Sequence, residues 1–157
     1  MSIASVMDGL AGVVATIDGY DYSQNGNVAV SDNRVLNAGP AKCAVIWRSP
    51  GSRRQDITLG NPKTVQNSWQ IGIDVYCLTS GDPQGVSGVL EVEVNLILDA
   101  ISNYPNLNGT PGVIYAIADV PEDMQTAQVP NSNYYKQSIH VEVRELEQVS
   151  VLESAGA

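Results

Sequence analysis

The chain contains no phenylalanine, one histidine, two cysteines and eight basic residues among its 157 positions. Each scarcity removes a class of chemistry. With only His140 there is no pair of imidazoles for a zinc site, and neither CxxC nor HExxH occurs. The stretch DGYDYSQNG has acids and amides, but not at the alternate positions of a calcium loop, so it reads as turn chemistry. Cys43 and Cys77 each lie in an apolar, strand-like run, and two buried free thiols are expected there rather than a disulfide. No apolar run reaches the roughly 18 residues that a membrane span requires, and MSIASVMDG lacks the basic opening of a signal peptide. The expectation is a soluble chain, made in the cytoplasm, with no membrane partner.

The shortage of basic residues gives a formal charge of -9, which argues against a dedicated nucleic-acid binder. The distribution says more than the total. Arg34, Lys42, Arg48, Arg53, Arg54 and Lys63 lie together, with Asp56 as the only acid between positions 34 and 63. From Thr64 to Tyr135 there is no Lys or Arg, while Asp74, Asp82, Glu91, Glu93, Asp99, Asp119, Glu122 and Asp123 all fall there. A basic section followed by a uniformly acidic one lets a molecule attract copies of itself.

What is present suits one ordinary domain. A composition of 43% hydrophobic and 16% charged residues fits a single globular unit, placed at 1–147 with a C-terminal tail at 148–157. From Ile3 to Ile17 the apolar residues Ile3, Val6, Met7, Leu10, Val13, Val14 and Ile17 recur at helical spacing. Gly9 and Gly12 lie off that stripe and read as simply tolerated. Turn chemistry follows, around a possible short strand at Val28–Val30. KCAVIWRS reads as a strand ending at Pro50, SWQIGIDVYCLT as a central strand, VIYAIADV as a third, and YYKQSIHVEVRE as a fourth. In the last, Tyr135, Ile139, Val141 and Val143 point inward while Lys136, His140, Glu142 and Arg144 point outward.

LEVEVNLILDAISNYPNLNG begins like an alternating strand, yet no turn signal interrupts the chain from Val86 to Tyr104. A strand of that length would be far above the usual five or six residues, so a helix is expected. Val86, Val89, Leu90, Val94, Ile97, Ala100, Ile101 and Tyr104 then share one face. Glu93 falls near the middle of it, where a lone carboxylate is costly, so it requires a neighbouring donor or a subunit contact.

The expected fold is α+β: a four-stranded, mainly antiparallel sheet with two helices packed on one face, in the order α-β-β-α-β-β. Between its first two strands the polar, basic SPGSRRQDITLGNPKTVQN suggests a long projecting loop arm. The other face, with Tyr76, Leu78, Ile114 and Val120, is left partly apolar and open to a partner. No catalytic constellation emerges. His140 points outward with no acid or nucleophile placed to use it. GDPQGVSG lacks the lysine and spacing of a phosphate loop. Neighbouring acids such as Glu91 with Glu93, and Glu122 with Asp123, read as solvated faces. Neither enzyme activity nor a cofactor or metal is expected.

The apolar N-terminal helix, the Trp-Gln start of SWQIGIDVYCLT before the second helix, and the closing YYKQSIHVEVRELE together resemble the tail terminator proteins of long-tailed bacteriophages. The likeness spans roughly Ile3 to Glu147 and rests on the order of elements more than on identity. It implies a structural virion protein at the head-tail junction, assembled in the host cytoplasm. Such proteins form a hexameric ring on the tail tube, stop its polymerisation and offer a surface to the head-completion or stopper protein. Implied partners are therefore further copies of the chain, the tail tube protein, that stopper and, where the tail contracts, the sheath. Double-stranded DNA passes through without specific binding, and the family has no catalytic residues to carry over. The long basic arm and the tail after Glu147 depart from the family pattern. The charge pattern offers Arg53, Arg54, Ile57, Leu59 and Lys63 of the arm, together with Glu93, as candidate intersubunit or neck contacts. Other neck, stopper or tail-tube ring proteins are the alternative, and a small-molecule-binding or hydrolase domain is a more distant one.

Overall fold

The computed structural model describes residues 3–23, 26–30, 42–58, 63–78, 83–107, 109–110, 113–120, 124–129 and 132–149. In chain order they form α1 (Ile3–Val14), β1 (Val28–Val30), β2 (Lys42–Thr58), β3 (Lys63–Leu78), α2 (Pro83–Asn103), β4 (Val113–Asp119), β5 (Gln125–Val129) and β6 (Ser132–Val149). The class is α+β, with two helices and one mixed sheet.

The sheet has six strands, not four, in the order β1-β2-β3-β6-β4, and β5 also pairs with β6. β1 joins β2 in parallel, and every other pairing is antiparallel. Two strands therefore separate the observed order from the expected one. β1 is a three-residue edge whose parallel partner no local pattern reveals. β5 is QTAQV, with little alternation, and forms because Val129 pairs back onto Ser132 in a tight hairpin.

The largest correction concerns the arm. The stretch expected to be a loop is mostly strand, since β2 continues to Thr58 and β3 already starts at Lys63. Residues 53–58 pair with 64–69, after an irregularity in which 49–52 of β2 stand opposite Gln70. Pro50, where the first strand was expected to end, lies in that irregularity. A proline lacks the N–H that a regular ladder needs, so a bulge accommodates it without ending the strand. β6 pairs with β3 along the whole arm, from Lys63 opposite Val149 to Leu78 opposite Tyr134. The arm is thus a three-stranded ribbon. Its sequence shows no apolar alternation because that signal reports a covered face, whereas ladder hydrogen bonds require none. Gln148 and Val149, assigned to the tail, lie in β6, and residues 150–157 are outside the described residues.

One face of the ladder carries the core. Trp69, Ile71, Ile73, Val75 and Cys77 of β3 join Ile139, Val141 and Val143 of β6 and Ala44 and Ile46 of β2 in one cluster. Both helices pack into that same cluster, α1 through Val6, Leu10, Val13 and Val14, and α2 through Leu90, Val94, Ile97 and Ile101. The inward set of β6 is as expected from its alternation, with Tyr135 partly buried beside it. The helix over LEVEVNLILDAISN is also as expected, and Pro83 opens it in the first turn, where a missing N–H costs least. Glu93 is buried at 9%, as its place in the expected apolar face requires, but two residues of that face are corrected: Val89 and Tyr104 are exposed at 54% and 36%.

Gly9 is not merely tolerated. A Cβ there would stand 2.4 Å from Oγ1 of Thr110, which is itself held by donating to the Leu107 carbonyl at 2.8 Å. The loop after α2 packs onto α1 at this point. A Cβ at Gly12 would meet none of the described residues outside its own helix turn within 4 Å.

Candidate functional site

Glu93 lies on the core side of α2 and has two partners in its own chain. The Tyr20 hydroxyl donates to its Oε2 at 2.7 Å, and the Lys42 ammonium donates to its Oε1 at 3.1 Å. Lys42 Nζ also sits 4.7 Å from the centre of the Tyr20 ring and donates to the Asp18 carbonyl at 3.4 Å. Of the two ways to accommodate this carboxylate, a neighbouring donor or a subunit contact, the first is present. Gly19 makes the room: its φ is +88°, and a Cβ there would fall 2.7 Å from both Cε and Nζ of Lys42. The cluster pins the turn after α1 and the start of β2 to α2.

Electrostatics follow from this burial. Desolvation first, and then the bond to Glu93, hold the Tyr20 phenol well above its ordinary pKa. Desolvation, with the Glu93 charge second, pushes the Cys77 thiol up to about 11, opposed by the Lys42 charge. A thiol so placed stays protonated and inert at neutral pH. Cys43 and Cys77 are both buried and neither is in a disulfide, in keeping with the sequence reading. The cluster has the chemistry of a lock, with donors and acceptor already matched.

The sheet face opposite the helices is a different surface. Ser138 donates to Asp74 at 2.7 Å, Ser68 donates to Glu142 at 2.8 Å, and Gln70 donates to Ser68 at 3.2 Å. Arg144 stands 3.3 Å from the same Glu142 oxygen. The Ser68 hydroxyl and then the Arg144 charge lower the Glu142 carboxyl pKa, against desolvation. Cys43 and Val45 form a small apolar cluster with Tyr76, whose ring meets Tyr134 edge to face at 6.1 Å. Trp47 lies across Gly72, where a Cβ would meet its ring at 2.2 Å. Of the residues expected to make this face apolar, Tyr76 and Leu78 are half-buried and Val120 is exposed, while the Ile114 side chain is outside the described residues.

His140 faces outward, but the expectation that no acid is placed to use it is corrected. The β4–β6 register sets Asp119 opposite it, with the carboxylate 3.4 Å from Nδ1. Side-chain exposures of 41% for His140 and 70% for Asp119 make this a solvent-screened pair, worth about 0 to 1 kcal/mol. His140→Ala should therefore fold and associate like the native chain, with a Tm lowered by no more than about 5 °C. Lost association in a variant with native circular dichroism would instead give this side chain a functional role.

Among the arm candidates, Arg53 is opposite Trp69, Arg54 opposite Ser68, Ile57 opposite Val65, and Lys63 opposite Val149. Leu59 is outside the described residues. Sequence reasoning missed one feature. Val89, Val92 and Leu96 of α2 are exposed at 54%, 57% and 41%, forming an outward apolar stripe. The signal was the doubled pattern of LEVEVNLIL, which places apolar residues on two faces of one helix.

Among the described residues, no group of three or more His, Cys, Asp and Glu side chains is arranged to hold a metal ion. No helix among them is long and apolar enough to cross a membrane. No protein-family model matches the chain, and no curated protein matches it in sequence.

Proposed function

We propose that this protein is a ring-forming structural subunit of a long-tailed bacteriophage virion, acting as the tail terminator at the head-tail junction. The observation that carries the reading is the three-stranded arm, basic in sequence at its β2–β3 end, on a body with no Lys or Arg from Thr64 to Tyr135. A basic section followed by an acidic one favours a head-to-tail contact between copies, and such contacts close into rings when the rotation allows. Seated on the tube, the ring stops further subunit addition, presents its far side to the stopper, and leaves a channel. Carboxylates along that channel repel phosphate, so DNA slides through without being retained.

The contact is assigned to the arm from Pro50 to Gln66, with Arg53, Arg54 and Lys63 selecting register and Ile57 and Leu59 supplying burial. Glu93 serves the interface indirectly, by fixing α2. The same arm also suits another neck, stopper or tube ring subunit of the virion, which is the second reading.

The test is the variant Arg53→Glu with Arg54→Glu. Surface ion pairs contribute about 0 to 1 kcal/mol each, and reversal turns attraction into repulsion. The expected outcome is a folded subunit that forms fewer rings, with the defect growing at low salt where repulsion is less screened. Light scattering and circular dichroism read the two properties. Undiminished ring formation at low salt would take the arm out of the interface.

A further inference from the structure

We draw no further inference here: the strongest candidate, the exposed apolar surface patch that Val89, Val92 and Leu96 form along the outward side of α2, carries nothing, because nothing in the structure shows what covers it.

Discussion

Replacing Lys42 with methionine should destabilise the protein by about 3 kcal/mol, the low end of the cost of stranding one member of a buried ion pair. The low end applies because the Lys42 side chain is 28% exposed, against 11% for Glu93. Methionine keeps the apolar stem beside Tyr20 and removes only the ammonium. Glu93 then keeps the Tyr20 hydroxyl as a donor, on a helix face it shares with Leu90, Val94 and Ile97. Glu93→Gln should be milder, about 1 to 2 kcal/mol, since an amide oxygen still accepts from Tyr20 and no net charge is stranded. The double variant Lys42→Met with Glu93→Leu should recover most of the loss, because a desolvated pair replaced by apolar groups is often neutral. Urea unfolding followed by circular dichroism checks the series. A loss under about 0.5 kcal/mol for Lys42→Met would show a solvated pair contributing nothing measurable.

Gly72→Ala should cost about 1 to 3 kcal/mol, as overpacking does. The new methyl group would lie 2.2 Å from Cε2 and 2.3 Å from Cζ2 of Trp47, so the indole must leave its seat. Gly72 is paired with Trp47 on one side and His140 on the other, and the ring covers the gap that a missing side chain leaves in the sheet. Trp47 is half-buried and Trp69 is in the core. Displacement should therefore shift the emission to the red by exposing Trp47, while Trp69 keeps its buried signal. Native emission together with a native melting curve would mean that Trp47 does not pack on the glycine.

Both effects depend on contacts between distant segments, which is where the sequence stopped being legible. α1, α2, and the inward sets of β3 and β6 could be read directly, because burial against a core imposes periods of 3.6 and 2. Glu93 stood out as a discord in that pattern, but its partners could not be named, since Tyr20 and Lys42 are 73 and 51 residues away. Composition locates the arm but suggests a loop. Its residues pair in a ribbon that continues past the described core, so no alternation records the pairing. Helical spacing puts Val89 on the buried face for a related reason. α2 has apolar residues on two sides, and only the packing decides which side meets the sheet. Asp119 came beside His140 through a strand register that neither segment encodes alone.

The central claim is that copies of this chain join head to tail in a closed ring. Sedimentation velocity of the native protein, with negative-stain micrographs of the same sample, tests it most directly. The expected result is a single species of mass near six times 16.7 kDa, seen as rings of uniform diameter with a central opening. A species of 16.7 kDa that persists at every concentration, with no rings in the micrographs, would contradict it.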